Sequence, residues 1–198
     1  NLGEINGFVR SPTAKAKGED APDFQIVAGP CAIVDHGRKK FNIKGGFTYA
    51  VVMLNPKDRG TVKIKSTNPR DSPLIDYQLF STPGEYERFF EMVKLMKNVR
   101  KNKNIKNMIK KGLIIDSFDV SDEELKQAIF EHSFNLYHPV STAAMGKVVD
   151  ERLNVYKVKK LRIVDASIMP VITRGNTNSP TVAIAEKASD MIKIDYGI

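Results

Sequence analysis

The sequence predicts a mixed α/β fold of the α+β kind: an antiparallel sheet flanked by helices, then a tail where a strand, a polar loop and a helix follow one another. Three observations carry this expectation. Short β-rich runs bounded by Pro, Gly, Asn and Asp fill the first 80 residues, helical periodicity with capping signals occupies residues 82–132, and from residue 138 small-residue loops alternate with one apolar run and a last helical pattern. With 198 residues, 41% of them hydrophobic and 27% charged, the chain can bury a sizeable core.

Up to about residue 45 the pattern is irregular. SPTAKAKGEDAPD is polar and broken by Pro and Gly, and only FQIVAG (24–29) reads as a buried strand, so this segment is expected at an edge or as a lid. FTYAVVML (47–54) is β-rich, NPKDRG is turn chemistry, and TVKIKS (61–66) alternates Val62 and Ile64 with lysines. Two antiparallel strands of a larger sheet are expected here. Thr82, Pro83 and Glu85 form a helix start, with threonine as N-cap and glutamate three residues on; the helix is expected to run to about Asn98. Its apolar positions Phe89, Met92, Val93 and Met96 repeat at helical spacing, which assigns them to core packing rather than to a methionine-lined cofactor site. Ser121 and Glu124 form a second capping box, opening a helix that buries Leu125, Ala128 and Ile129. The tail reads as loop over HPVSTAAMG (138–146), strand over LRIVDAS (161–167), loop over TRGNTNSP (173–180) and helix over TVAIAEKASDMIK (181–193).

Composition removes several function classes. The net charge of +8 is densest in KNVRKNKNIKNMIKK (97–111), which has no interleaved aromatics and no nucleic-acid reader motif, so it reads as a solvated helix face and no nucleic-acid partner is expected. The single cysteine, Cys31, excludes an internal disulfide and a cysteine-rich zinc site. No apolar run approaches the roughly 20 residues of a membrane span, and NLGEINGFVR lacks the charged and apolar regions of a signal peptide.

Three histidines are available for chemistry. His36, in DHGRKK, reads as a solvated turn, and His132 as a C-terminal helix cap. His138 differs, because Pro139 bars it from a helix interior and Tyr137 sets an aromatic wall beside it. A hydrolytic triad of His138, Asp165 and Ser141 or Ser167 competes, but neither serine lies in a G-x-S-x-G or S-x-x-K frame, and no second histidine or carboxylate stands at metal-ligand spacing. In TRGNTNSPT, Gly175 permits a turn, Asn176 and Asn178 offer amide donors and acceptors, and Pro180 and Thr181 open a helix with unpaired first amides. Such an end attracts negative charge, and the pyrimidine edge of a reduced flavin is one chemically sensible occupant. Simple helix capping accounts for one asparagine more readily than for both.

The order HPVSTAAMG, VVDERLNVYKVKKLRIVDASIMP, GNTNSPTVAIAEKASDMI resembles the C-terminal signature of the glucose-methanol-choline (GMC) oxidoreductases, FAD-dependent enzymes acting on alcohols. The resemblance is close over 138–193, and Gly46–Asn98 looks like that family's substrate domain. It implies a substrate-domain sheet over 1–137, and over 138–198 an active-site loop with the C-terminal strand and helix of an FAD-binding domain. By the same resemblance His138 takes the hydroxyl proton of a small-molecule alcohol as hydride passes to flavin N5. Asn178, whose amide is no base near neutral pH, orients the alcohol oxygen. Asp165 and Ala166 would lie along the ribityl and phosphate portion of FAD, Asn176, Asn178, Pro180 and Thr181 at its pyrimidine edge, and Tyr137 in the substrate cavity. The chain departs from the family pattern in a shorter stretch between MG and VVD and in STAA where many members carry a GTC-like run, and it has no G-x-G-x-x-G turn for the ADP half of FAD. It is therefore expected to be one part of a longer enzyme whose N-terminal FAD-binding portion is its partner, and to bind FAD poorly alone. A cyanohydrin-cleaving lyase and a non-catalytic relative are the competing functions within the resemblance.

Overall fold

The computed structural model describes residues 3–198; Asn1 and Leu2, where the expected substrate-domain portion starts, lie outside the described residues. The chain forms two compact units: one takes the residues up to Met53 together with Phe80–Phe134, the other Leu54–Leu79 with Asn135–Ile198.

The first unit is built on a three-stranded antiparallel sheet of β1 (Ile5–Val9), β2 (Phe24–Gly29) and β3 (Thr48–Met53), in the order β1-β2-β3. FQIVAG is thus the central strand, not an edge: Val9 pairs with Phe24 and Phe24 with Met53, so both sides of β2 are occupied. Between β1 and β2 lies the short helix α1 (Pro12–Ala16), capped by Ser11. Phe24 is fully buried and its ring meets Phe89 of α2 (Glu85–Arg100) at 6.1 Å. Met92 and Met96 are buried on α2, as their spacing requires. The helix starts later than expected, at Glu85, with Gly84 at φ 86° as its N-cap, a conformation open to glycine, and the Glu85 amide donates to the Thr82 carbonyl at 3.1 Å. The Glu85 carboxylate accepts from Arg88 at 2.9 Å, beside a buried cluster in which Asp23 accepts from Ser11 N (2.7 Å) and Ser11 Oγ (2.6 Å) and lies 3.8 Å from Arg88.

After the four-residue helix α3 (Lys103–Lys106), α4 (Asp122–His132) carries the expected capping box: Ser121 accepts from Glu124 N, and Glu124 accepts from Ser121 N. Leu125 and Ile129 are buried beneath it and Ala128 is half-buried. The basic run 97–111 is mostly exposed, as expected, and its first turn and the preceding Lys94 are bonded to the segment before α4 and to its start. Lys94 pairs with Asp122 and Lys101 with Asp119, Lys97 donates to the Val120 carbonyl, and Arg100 donates to the carbonyls of Asp116 and Ser117. The hydrogen bonds from Lys94 and Lys101 hold the Asp122 and Asp119 carboxyls below their ordinary range. His36 occupies a turn at φ 55° with its ring 4.0 Å from that of Phe134, and His132 ends α4.

In the second unit β4 (Thr61–Lys63) pairs antiparallel with β5 (Leu74–Asp76), not with β3 as expected. Gly60 permits the close approach: a Cβ there would sit 2.1 Å from the Asp76 carbonyl oxygen. The rest of the unit is organised by turns around a core of Val149, Leu153, Ile168 and Ala188. Asp150 closes the first turn by accepting from the backbone of Arg152 (2.9 Å) and Asn154 (2.8 Å). LRIVDAS is not a strand. Its pairing is limited to one bridge, Arg162 with Asn154, flanked by Val155 N to Leu161 O and Ile163 N to Leu153 O, and no parallel neighbour exists among the described residues. It ends instead in a 3-10 turn, Ala166–Ile168. The last helix, α5 (Asn178–Tyr196), begins three residues before Thr181, and at its far end Asp195 pairs with Arg152 and Arg162. Among the described residues no helix is long and apolar enough to cross a membrane.

Candidate active site

The loop that carries His138 is held by hydrogen bonds from its second half. Tyr137 (φ 62°) and Ser141 (φ 76°) flank the histidine in left-handed conformations unusual for non-glycine residues. Ser141 Oγ donates to the Met169 carbonyl at 2.7 Å, and the amides of Ala143 and Met145 donate to the carbonyls of Ser167 (3.0 Å) and Ile168 (2.8 Å). These three bonds stitch HPVSTAAMG onto the Ala166–Ile168 turn, whose Ile168 packs into the core beside Ala188 of α5. The polar loop is therefore fixed to the helix through one apolar layer.

His138 Nδ1 lies 2.9 Å from Thr177 Oγ1, a contact across 39 residues of sequence. Thr177 is buried and stands between Asn176 and Asn178, so the contact sets His138 against the start of α5, at the residue before Asn178. Asn176 and Asn178 are exposed there, and Pro180 and Thr181 half-buried. Thr181 is not the first helical residue. Its amide and hydroxyl both bond to the Thr177 carbonyl, at 3.0 and 2.7 Å, so the helix's unpaired first-turn N–H groups are those of Asn178 and Ser179.

The remaining expected positions stand apart from this contact. Asp165 is exposed and accepts from Ser167 N at 2.8 Å as the cap of the 3-10 turn, with Ala166 half-buried behind it. Tyr137 is 67% exposed. No Ser-His-Asp constellation forms among the described residues, because Ser141 is bonded to Met169, Asp165 to Ser167 and His138 to Thr177. No cluster of His, Cys, Asp or Glu suited to a metal occurs among them either. Thr177 escaped the sequence reading, which weighed the asparagines alone; the available signal was a hydroxyl standing directly before a helix whose third residue is proline.

The family model described as GMC oxidoreductase matches residues 56–185, about two thirds of the chain. The chain belongs to the GMC oxidoreductases. Over 98% of its length this GMC chain is 36% identical to the "Alcohol dehydrogenase [acceptor]" of Pseudomonas putida, covering 36% of that protein. Over 96% of its length it is 36% identical to the mitochondrial choline dehydrogenase of Mus musculus, covering 32% of it. It thus spans about a third of the length of these GMC relatives. Its fold superposes on a formate oxidase of Aspergillus oryzae RIB40 with a TM-score of 0.83 at 24% identity, over 99% of this chain and 39% of that one.

Proposed function

We propose that this chain is the C-terminal part of an FAD-dependent enzyme that oxidises an alcohol to a carbonyl, with His138 as the base and Asn178 as the group orienting the alcohol oxygen. The observation that carries the reading is the 2.9 Å bond from His138 Nδ1 to Thr177. It anchors the imidazole by one nitrogen beside Asn178 and leaves Nε2 without a hydrogen-bond partner among the described residues. Bound FAD would supply the two-electron acceptor that this chain's side chains lack.

The donor set fits the polar edge of such a group. Asn178 and Ser179 present unpaired N–H groups at the positive end of a 19-residue helix, and Pro180, with no N–H, leaves none beyond them in that turn. Asn176 and Asn178 add side-chain amides, and Asp165 and Ala166 stand on a separate turn that would border the ribityl and phosphate portion. Nothing in the sequence offers the Gly-rich turn for the nucleotide half, so that half belongs to an N-terminal portion of the same enzyme, in keeping with relatives about three times as long. Leu161, Val171 and Val182 are exposed apolar residues that such a portion would cover. By this assignment residues 1–137 contribute mainly to the substrate-binding domain, with Tyr137 lining the cavity.

In the reaction His138 Nε2 accepts the hydroxyl proton while the Asn178 amide holds the same oxygen in line. A positioned general base contributes roughly 10²- to 10⁴-fold, and His138→Ala in the complete enzyme is expected to slow anaerobic flavin reduction by that order. Reduction at the wild-type rate would refute the base assignment. A flavin that stays oxidised while a cyanohydrin is cleaved would assign the site to lyase chemistry instead.

A further inference from the structure

Thr177 stands before a helix and yet does not cap it. A threonine at this position ordinarily gives its side-chain oxygen to the N–H of the second or third helical residue. Here the third residue is Pro180, which has no N–H, and the side chain makes no capping bond. The backbone is nevertheless fixed, because the Thr177 carbonyl receives both the amide and the hydroxyl of Thr181. The hydroxyl, 94% removed from solvent with its residue, is directed to His138 Nδ1 at 2.9 Å.

That bond has a chemical consequence. A neutral imidazole carries one ring hydrogen, and the hydrogen bond at one nitrogen decides which nitrogen holds it. If Thr177 accepts from Nδ1–H, Nε2 keeps a lone pair and can take a proton. If Thr177 donates to Nδ1, the hydrogen sits on Nε2 and nothing is left to accept one. A base at Nε2 requires the first arrangement. No carboxylate bonds to the His138 ring among the described residues, so the threonine is the group available for the task. We propose that Thr177 is a positioning residue that accepts the Nδ1 hydrogen of His138 and so presents its Nε2 lone pair to the alcohol; this rests on the reading of His138 as the base. When the substrate proton arrives at Nε2 the ring becomes an imidazolium with a hydrogen on each nitrogen, and Thr177 goes on accepting the one at Nδ1.

The test uses the complete FAD-loaded enzyme as wild type, Thr177→Val, Thr177→Ser and His138→Gln. Labelled-histidine NMR of the resting enzyme, with the His138 signal assigned by its loss in His138→Gln, reads which nitrogen carries the hydrogen. Stopped-flow flavin reduction uses whichever member of a panel of primary alcohols, choline included, bleaches the wild-type flavin fastest. The hydrogen is expected on Nδ1 in the wild type and divided between the nitrogens in Thr177→Val. Loss of one neutral hydrogen bond should slow reduction at saturating alcohol roughly three- to tenfold with KM nearly unchanged, and Thr177→Ser should restore both readouts. A wild-type hydrogen on Nε2 would overturn the proposal, as would a Thr177→Val enzyme with wild-type rate and ring signal. If His138→Gln also reduces flavin at the wild-type rate, the base reading falls with it; if His138→Gln is slow and Thr177→Val is normal, only the role of Thr177 falls.

Discussion

Ser141 offers a prediction in which two opposing terms can be separated. Its hydroxyl donates to the Met169 carbonyl at 2.7 Å, and its backbone is held at φ 76°. In Ser141→Ala the carbonyl of the buried Met169 loses that donor while the left-handed backbone remains, for a cost of about 1–3 kcal/mol. In Ser141→Gly the same bond is lost, but relief of the left-handed strain returns about 1–2 kcal/mol and the freer unfolded chain removes about 0.5–1. Glycine should therefore be less damaging than alanine by about 0.5–1 kcal/mol. The readout must be local, because an enzyme of several domains does not unfold in one step. Hydrogen exchange at the Ala143 and Met145 amides, bonded to Ser167 and Ile168, reports opening of this loop. Exchange in Ser141→Ala should accelerate roughly 5- to 150-fold, with Ser141→Gly between it and the wild type. Alanine exchanging at the wild-type rate, or glycine exchanging faster than alanine, would refute the account of how the His138 loop is held.

Three further outcomes follow from other contacts. Asp23 is fully buried and serves Ser11 N, Ser11 Oγ and Arg88 at once, so Asp23→Ala should cost about 3–5 kcal/mol locally and Asp23→Asn less, since it keeps an acceptor for the Ser11 amide; unchanged hydrogen exchange at the Lys15 amide, bonded to the Ser11 carbonyl, would contradict this. Hydrogen bonds from Arg162 and then Arg152 hold the Asp195 carboxyl below its ordinary range. Its contribution is thus complete above the unfolded carboxylate value of about 3.9 and fades as pH falls through the lower folded value, so local opening read by hydrogen exchange at the Ile163 amide, bonded to Leu153, should change less on acidification in Asp195→Asn than in the wild type; parallel pH dependences would exclude the linkage. The 198-residue chain expressed by itself should not retain FAD through gel filtration, and a yellow preparation with a flavin spectrum would show that the nucleotide half has a site here.

What the sequence disclosed was local. FQIVAG, the α2 periodicity and the Ser121/Glu124 box are each decided within a few residues, and each forms. Strand β1 was not legible, because Ile5 and Phe8 are both exposed and INGFV shows no alternation; its existence depends on pairing with β2. The partner of β4 was misjudged for a related reason: a turn between two β-rich runs suggests a hairpin, but β3 is claimed by the distant β2 in a register running from Phe24–Met53 to Gly29–Thr48. The apolar run 161–164 reads as a strand by composition, and only the structure reveals that its partner is the adjoining Asp150–Asn154 turn. At the site the family signature points to His138 and Asn178, whereas the Thr177 hydroxyl that meets His138 depends on a fold that brings position 138 to position 177.

The clamp on Asp195 takes on a mechanical sense once the length of α5 is considered. Nineteen residues span about 28 Å, with Asn178 at one end, Ala188 seated in the core near the middle, and Asp195 gripped by Arg152 and Arg162 near the other. The helix is a rigid lever with its fulcrum at Ala188. A tilt of about 4° about that point would carry Asn178 by about 1 Å, a misplacement of the size that can cost a reaction a hundredfold. Arg152 and Arg162, half-buried on two neighbouring segments, thus act as the stop that keeps the lever from rocking, and the position of one end of the helix depends on contacts at the other.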